Sequence, residues 1–277
     1  MSTGFLPRAR KRFGQHFLAD QGVAERIIGM VKPLPGELVL EIGPGRGVLT
    51  ERLLARGGRL AAVEIDRDLV AFLRQRFAGA DFRLIEGDVL DLDLGQLLRE
   101  EGREKVLVVG NLPYNITAPL LFGLLEQADH LRSAVLMVQQ EVAHRLTARP
   151  GTKDYSLLTV LLSLRARVHT RIQVAPGAFR PVPKVHSTVI EVEFEPAARY
   201  PLQDEQLFGR VVRTAFGQRR KMLRNSLLGM CDGQRERLEA LAARAEIDLS
   251  RRPETLSLEE FGRLSDAFAG AQGEAEV

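Results

Sequence analysis

Short apolar runs alternate with amphipathic segments through the first 165 residues of this chain. Each apolar run predicts a buried strand, and each segment with apolar residues three or four positions apart predicts a helix. This alternation is typical of a mainly parallel sheet with helices on both faces. The predicted strands are 38–42, 60–65, 82–85, 106–109 and 134–138, and the predicted helices are near 21–31, 48–56, 67–77 (with Asp66 as its N-cap), 117–127 and 155–165.

The pattern changes twice after residue 165. Residues 167–174 and 187–194 are β-rich, and the second run alternates apolar and polar positions, which predicts antiparallel strands that complete the sheet. From Gln203 onward only helical periodicity remains. We therefore predict an α/β fold with a Rossmann-like sheet, followed by a small all-helical domain. The predicted parts are 1–196 for the sheet domain, of which 1–20 form a basic arm, and 197–277 for the helical domain, with a frayed tail after Gly270.

Composition adds several exclusions. The chain has 277 residues, 45% of them hydrophobic and 27% charged, which suits one large and one small globular domain. The single Cys231 excludes an intramolecular disulfide, and the histidines show no metal-ligand spacing, so we predict no metal site. No apolar run approaches membrane-spanning length, and no apolar signal segment follows the basic N-terminus. We expect a cytoplasmic protein with no membrane partner.

The formal net charge is only +3, but several of the positive charges lie in two clusters. One cluster lies at residues 8–12, and the other consists of Arg219, Arg220, Lys221 and Arg224. Clustered cations indicate a polyanion partner, although a solvated basic surface gives the same pattern. The second cluster is predicted to lie on a helix, with Arg220 and Arg224 on one face, and to make phosphate contacts, which position a partner rather than specify it.

A glycine-rich segment, Glu41-Ile42-Gly43-Pro44-Gly45-Arg46-Gly47, follows the first predicted strand. A dinucleotide site prefers G-x-G-x-x-G, whereas here Val48 takes the third glycine's place and the spacing is G-x-G-x-G. This departure favours a nucleoside ligand without a pyrophosphate, such as S-adenosylmethionine. A tight strand–helix turn that binds no ligand is the alternative.

Acidic residues close the next two predicted strands. Glu64 can accept hydrogen bonds from both hydroxyls of a ribose, which fits a dinucleotide or S-adenosylmethionine equally well. Asp88 can accept from an adenine amino group, although it is also a common turn residue. Together, and after the glycine-rich segment, the two acids indicate a nucleoside site more strongly than either does alone.

The fourth predicted strand ends in Asn111-Leu112-Pro113-Tyr114. An aromatic amine is a poor nucleophile because its lone pair is delocalised into the ring. Hydrogen bonds from such an amine to the Asn111 side-chain oxygen and the Leu112 carbonyl would localise that lone pair, and the Tyr114 ring can stack on the base. Alignment and desolvation would then supply most of the catalysis. The competing interpretations are a turn-forming Asn and a core Tyr.

With these motifs the chain resembles the class I S-adenosylmethionine-dependent methyltransferases, and within them the bacterial small-subunit ribosomal RNA adenine N6,N6-dimethyltransferases. The matching segments span nearly the whole chain in the family's order. They are 13–18 (FGQHFL), 41–50, 64–66 (EID), 87–90 (GDVL), 111–117 (NLPYNIT), 179–185 (FRPVPKV) and 216–221 (FGQRRK).

This resemblance implies that the enzyme methylates N6 of two adjacent adenosines in a 3′-terminal hairpin of 16S RNA, with 16S RNA or an immature small subunit as its partner. We expect a monomer, because nothing in the sequence suggests an obligate oligomer. It implies that Tyr114 and Phe179 sandwich the target adenine. It also implies a cofactor site for S-adenosylmethionine, although His16 stands where many members have Asn. The implied cofactor-site residues are His16, Leu18, Gly43, Gly45, Glu64, Asp88 and Asn111.

Three alternatives remain open. The related large-subunit adenine N6-methyltransferases of the macrolide-resistance type share much of the pattern, but residues 111–117 and the helical C-terminal region favour the small-subunit enzymes. An NAD-dependent dehydrogenase is disfavoured by Val48. A non-catalytic RNA-binding factor is disfavoured because the whole set of motif residues is present.

Overall fold

The computed structural model describes residues 6–10, 13–114 and 116–273. Every strand and helix bounded from the sequence has a counterpart within these residues, with ends that differ by a few positions. The strands are β1 (Phe17–Leu18), β2 (Glu37–Ile42), β3 (Arg59–Glu64), β4 (Arg83–Glu86), β5 (Lys105–Asn111), β6 (Leu131–Gln139), β7 (Ala166–Val174), β8 (Phe179–Arg180) and β9 (Ser187–Phe194). The α-helices are α1 (Gln21–Met30), α2 (Val48–Arg56), α3 (Arg67–Arg76), α4 (Leu94–Glu101), α5 (Thr117–Glu126), α6 (Gln140–Leu146), α7 (Leu157–Arg165), α8 (Glu205–Gly217), α9 (Leu223–Ser226), α10 (Arg235–Arg244) and α11 (Leu258–Gly273).

Seven of the described strands form one sheet in the order β4-β3-β2-β5-β6-β9-β7. Neighbours from β4 to β6 run parallel, and β9 runs antiparallel to β6, which confirms the predicted mainly parallel sheet with an antiparallel end. The chain moves outward from β2 to β4 and then returns to the other side of β2 with β5. The carboxyl ends of β2 and β5 therefore flank a topological switch point, where ligands bind in open α/β sheets.

Buried apolar side chains on both faces hold the sheet between its helices. Strand β2 is buried along its whole length, and so is the middle of β5, as expected for central parallel strands. Helix α3 begins where predicted, because the Asp66 side chain caps it by accepting from the Asp68 backbone N–H. No helix in the described part of the chain is both long enough and apolar enough to cross a bilayer.

Helices α4 and α6 and one pair of short strands were not predicted. Helix α4 is eight residues long, capped by Asp93 and ended by Gly102 in the left-handed conformation, and it is too short for a clear periodic signal. Strands β1 and β8 form a separate two-stranded antiparallel sheet, in which Phe17 is opposite Arg180 and Leu18 is opposite Phe179. Strands this short, and this far apart in sequence, have no local signature.

Contacts divide the chain into two units. The first unit comprises the described residues up to Ala143 together with Val168–Phe194, and the second comprises His144–Arg167 and the described residues from Glu195 onward. The main difference from the predicted division at residue 196 is that residues 144–167, which were expected in the sheet domain, belong to the second unit. This segment joins the second unit because α7 packs on α8 and because the Glu195 backbone N–H donates to the Arg165 carbonyl.

The second unit has a core of its own, formed largely by helices α8, α10 and α11. Its fully buried side chains include Phe208, Leu223 and Phe261. The predicted fraying after Gly270 is wrong for the next residues, since α11 continues to Gly273; residues 274–277 lie outside the described part.

Candidate functional site

A cavity of about 250 Å³ lies at the carboxyl ends of β2, β3 and β5. Several elements that are distant in the chain contribute to it, because parallel strands end at the same edge of the sheet. Most of the residues predicted for the site line this cavity. They are His16, Gly43, Gly45, Glu64, Asp88, Asn111, Leu112 and Tyr114.

The glycine-rich turn is required by packing as well as by any ligand. Gly45 has φ +58°, and a Cβ there would meet the Phe17 ring at 3.0 Å. Gly47 has φ +79° at the N-cap of α2, and a Cβ there would lie 2.6 Å from the Phe77 ring. Larger residues are therefore excluded by backbone strain and by collision. The two interpretations of the glycine-rich segment, a tight turn and a ligand site, are therefore compatible with each other.

Glu64 lies at the end of β3 with its carboxylate buried beside the turn. Its Oε2 accepts from the Gly45 backbone N–H at 3.1 Å, and its Oε1 accepts from the Asp66 backbone N–H at 3.0 Å. Burial raises the pKa of Glu64 despite these two bonds. Each oxygen keeps a second lone pair, so the carboxylate can still accept from the two hydroxyls of a ribose.

Asp88 has a structural role that leaves part of its side chain available. Its Oδ1 accepts from the Leu90 backbone N–H at 3.0 Å and caps a short 3₁₀ helix over Val89–Asp91. The turn-residue interpretation is therefore correct, and it does not exclude the predicted contact with an adenine amino group. Within the described residues, Asp88 Oδ2 accepts no hydrogen bond from the protein.

A second buried acid, Glu41, lies next to the site without lining the main cavity. The Thr50 hydroxyl donates to Glu41 Oε2 at 2.7 Å. Burial, with a smaller contribution from the charge of Glu64, raises the pKa of Glu41 to about 7. At neutral pH this carboxyl is therefore partly protonated.

Asn111 is the last residue of β5, and its amide has a fixed orientation. Its Nδ2 donates to the His16 backbone carbonyl at 2.9 Å. The amide oxygen is left as an acceptor at the cavity. The backbone of the N-terminal arm therefore determines which end of the Asn111 amide is available at the cavity.

Tyr114 and His16 form a stacked pair at the rim of the cavity. Their ring centroids are 5.6 Å apart with an interplanar angle of 27°. The Tyr114 hydroxyl hydrogen-bonds the Ser187 hydroxyl at 2.9 Å, and burial raises the pKa of Tyr114. His16 Nδ1 lies 2.8 Å from the Pro181 carbonyl, which can only accept, so Nδ1 carries the proton of this bond. The His16 side chain thus links the arm to the loop after β8.

Phe179 does not face the cavity, which corrects the stacking role predicted for its ring in this conformation. Leu18 borders a smaller adjoining pocket with Gly43 and Asn111, and its role at the cofactor stays a prediction. Leu18 is 5% exposed and Phe179 is 0% exposed, and both belong to the main hydrophobic core. The physical reason is the β1–β8 pairing, which places Leu18 opposite Phe179 and covers both with core residues. A base cannot contact the Phe179 ring without movement of this segment.

Several lining residues were missed by sequence reasoning. Ile65 and Val89 each follow a predicted acid closely and add apolar surface to the cavity. Gln15 lines it as well and joins the arm to Asp66 through a 3.1 Å bond from its Nε2 to Asp66 Oδ2. The position of Ile65 directly after Glu64, at the end of a strand, was the available signal.

The Arg219–Lys221 cluster is not helical, so the prediction for its secondary structure was wrong. Helix α8 ends at Gly217, the cluster lies in the following turn, and α9 begins only at Leu223. Arg220 and Arg224 therefore do not share a face of one helix. The Arg219 guanidinium donates to the Lys153 carbonyl within the second unit. Phosphate contact by this cluster stays a prediction.

The N-terminal basic cluster is partly neutralised where it is described. Arg10 pairs with the buried Asp66 at 3.2 Å and also with Asp68. These contacts attach the arm to the start of α3. Lys11 and Arg12, which belong to the same predicted cluster, lie outside the described residues.

The lining fits an adenosine-containing ligand. Carboxylates with unused lone pairs suit ribose hydroxyls and an adenine amine, Ile65 and Val89 suit a flat ring, and Asn111 and Tyr114 lie at the rim for a second, substrate group. Within the described residues, no group of three or more His, Cys, Asp or Glu is placed to hold a metal ion.

Comparisons with known proteins agree with this chemistry. A family model described as ribosomal RNA adenine dimethylase matches residues 7–269. The ribosomal RNA small subunit methyltransferase A of Geobacter sulfurreducens is 47% identical over 96% of this chain and 97% of its own length, and that of Pseudomonas putida is 44% identical over 98% and 99%. Among solved structures, the 23S rRNA methyltransferase ErmE superposes with a TM-score of 0.68 at 26% identity, covering 91% of this chain and 99% of that one. A dimethyladenosine transferase from Plasmodium falciparum superposes with a TM-score of 0.73 at 23% identity, covering 90% and 96%, and this likeness supports the fold.

Proposed function

This chain belongs to the ribosomal RNA adenine dimethylase family, and we propose that it transfers methyl groups from S-adenosylmethionine to N6 of two adjacent adenosines in a 3′-terminal hairpin of 16S RNA. The observation that carries the proposal is the Asn111 amide oxygen, an oriented acceptor at the rim of a cavity whose wall contains Glu64 and Asp88.

The sheet edge is suited to hold the cofactor. S-adenosylmethionine, when bound, supplies a methyl carbon activated by an adjacent sulfonium. Glu64 accepts from its ribose hydroxyls, and Asp88 accepts from its adenine amino group. The Gly43–Gly45 turn lets the backbone approach the ligand closely. These roles follow from the lone pairs left on each carboxylate by its contacts with the protein.

Asn111 and Leu112 position the substrate amine. The Asn111 side-chain oxygen and the Leu112 backbone carbonyl accept hydrogen bonds from the N–H groups of the amine, which turns the nitrogen lone pair towards the activated carbon. The nitrogen loses one proton to solvent with each methyl group that it gains. The His16 carbonyl keeps the amide from flipping, because a flipped Asn111 would face it with an oxygen. No strong base is needed before transfer, and orientation in a partly desolvated cavity supplies the rate enhancement.

Tyr114 supplies the ring on which the target adenine stacks. In the present conformation one face of Tyr114 is covered by His16, and two rings 5.6 Å apart leave no room for a third between them. A base on that face therefore displaces the imidazole from Tyr114. The adenine must also leave its own stack, because pairing hides its amine. The second stacking ring expected at Phe179 is in the core here.

The small-subunit enzymes are favoured over the large-subunit alternative by similarity. The small-subunit relatives are 44–47% identical to this chain, against 26% for the 23S rRNA methyltransferase. We accordingly propose 16S RNA, or an immature small subunit that contains it, as the partner, and a cytoplasmic monomer as the working form. Membership of the ribosomal RNA adenine dimethylase family argues against the NAD-dependent dehydrogenase alternative.

The test compares two substrates in one assay. The full chain is incubated with S-adenosylmethionine carrying a labelled methyl group and with either small subunits that lack the modification or naked large-subunit RNA. We expect label in the small subunits only, recovered by mass spectrometry as N6,N6-dimethyladenosine in one hairpin. Label in the large-subunit RNA alone would establish the alternative, and label in neither would refute both.

A further inference from the structure

A second depression in the first unit carries an unusual concentration of positive charge. It has a volume of about 290 Å³ and contains four arginines and one glutamate. We propose that this depression binds the phosphodiester backbone of the RNA beside the target adenosine. The inference rests on the proposed function and extends it by adding an RNA contact within the sheet-bearing unit. The charged lining residues are Arg46, Arg52, Arg76, Arg180 and Glu51.

Arg46 is a cation without a counterion in the described residues. Its guanidinium lies 4.5 Å from the centroid of the Phe17 ring, and its Nη2 donates to the Pro7 carbonyl at 2.8 Å. Neither partner neutralises its charge. Burial lowers the pKa of Arg46, which indicates a desolvated cation. An anion at this position would gain a charge-assisted hydrogen bond at a preorganised donor.

Arg180 is the second uncompensated cation. Its Nη1 donates to the carbonyls of Gly177 and Phe179 at 2.9 and 2.8 Å, which fixes one nitrogen of the guanidinium. Its side chain is exposed, and within the described chain no carboxylate lies in ion-pair range of it. The remaining N–H donors of this planar group are free to contact phosphate oxygens.

Several other arginines of the first unit are paired with carboxylates, although Arg56, outside the depression, likewise donates only to backbone carbonyls in the described part of the chain. Arg59, Arg132 and Arg171 each bond a carboxylate. Inside the depression, Arg52 pairs with Glu25, and Arg76 pairs with Glu51. The depression therefore keeps an excess of positive charge that comes mainly from Arg46 and Arg180, where the described structure supplies only carbonyl or aromatic contacts.

The location suits RNA rather than the cofactor. Phe17 lines both the main cavity and this depression, so the two adjoin, while Arg46 and Arg180 are absent from the lining of the main cavity. A nucleotide whose base enters the main cavity must carry its flanking phosphates along the adjoining surface. Arginines that contact phosphates fix the position of the strand without reading its sequence.

The test measures salt-dependent RNA binding by the full chain. The variants are Arg46→Gln, Arg180→Gln and their double combination, and the matched control is Arg171→Gln, an exposed arginine of β7 that pairs with Glu191. The probe is a synthetic RNA of the 3′-terminal hairpin with its flanking nucleotides. Each lost phosphate contact lowers the slope of log K against log salt by about 0.7–0.9. We expect the double variant to lower the slope by about 1.5 and to bind about tenfold more weakly at low salt.

Methylation kinetics and cofactor binding provide independent measurements. With unmethylated small subunits we expect KM to rise in the double variant while kcat and the affinity for S-adenosylmethionine, measured by calorimetry, stay at the parent values. The control is expected to match the parent throughout.

Four results would overturn the inference. The first is an unchanged slope of log K against log salt in the double variant, and the second is an equal change of this slope in the control. The third is a loss of S-adenosylmethionine affinity in the double variant. The fourth is a double variant that differs from the parent only in its competition by added inorganic phosphate and not in RNA binding. If the parent binds the hairpin through these arginines but does not methylate unmethylated small subunits, the proposed function fails while the RNA contact stands. The two hypotheses are therefore separable.

Discussion

The edge of the main sheet and the β1–β8 pair both border the cavity, but sequence reasoning succeeded at one and failed at the other. At the sheet edge, Glu64, Asp88, Asn111 and Tyr114 all line the cavity as predicted. In the β1–β8 pair, the Phe179 ring turns into the core, and the Phe17 ring, with the His16 carbonyl just before β1, supports the site instead.

The difference shows which positions a local pattern can assign. A residue at the carboxyl end of a parallel strand is placed at the ligand edge by chain direction and topology. The side-chain direction of a residue in a two-residue strand cannot be assigned in this way, because it depends on a partner strand that is distant in the chain. The family resemblance identified Phe179 as a matching residue, but it did not indicate the direction in which the Phe179 side chain points.

The largest expected effect tests whether Phe179 is a core residue. We expect Phe179→Ala to lower the free energy of unfolding by about 3–5 kcal/mol, because it empties a fully buried site. Urea denaturation followed by circular dichroism measures the change. Phe72→Ala, at a half-buried position on α3, is the matched control and should cost less. Full stability with impaired methylation would instead place the ring at the substrate.

The second prediction tests the sheet edge. Replacing Asn111 with Ala removes the oriented acceptor, and we expect kcat to fall by about a hundred- to a thousandfold, as for the loss of one preorganised hydrogen-bonding group. Hairpin binding should stay near the parent value. Gln173→Ala, an exposed amide on β7, serves as the control. Methylation that survives the change in Asn111 would disprove the assigned role.

The third prediction concerns the pH response of Glu41, a buried acid next to the sheet edge. In the folded state Glu41, with its pKa raised from 4.5 to about 7, binds a proton that the unfolded chain has already released. Its contribution to the free energy of unfolding therefore falls as the pH rises from about 4.5 to about 7, and above that the full cost of about 3 kcal/mol is present.

Glu41→Gln removes this titration while keeping an acceptor for the Thr50 hydroxyl. We expect the melting temperature of the variant to exceed that of the parent at pH 8 and to approach it at pH 5. The measurement is thermal unfolding at a series of pH values. A constant difference between parent and variant would show that Glu41 does not titrate in this range.

The smallest expected effect concerns Tyr114. Tyr114→Phe keeps the ring but removes the bond to the buried Ser187 hydroxyl, so stability should fall by about 1 kcal/mol. Methylation should stay within a few-fold of the parent, whereas Tyr114→Ala should lose most of it. If Phe and Ala at this position were equally inactive, the hydroxyl rather than the stacking surface would be the essential part.

Most of the fold was predictable because its signals are local. Strand β9 and helix α2 have the bounds that their patterns indicated, since side-chain alternation and helical spacing are properties of neighbouring residues. The turn at Arg219–Lys221 was misassigned for a related reason. Its apolar neighbours keep a helical spacing across Gly217, and no local feature indicated that the chain would leave the helix there.

The sequence by itself determined a mainly parallel sheet, a nucleoside site at its carboxyl edge and an amide with an aromatic ring for a substrate amine. Only the tertiary structure decided that Phe179 is core, that the His16 carbonyl orients Asn111, and that Arg46 and Arg180 border one depression. The first set depends on chain direction and residue spacing. The second depends on contacts between segments far apart in the chain, whose free energies no local pattern contains.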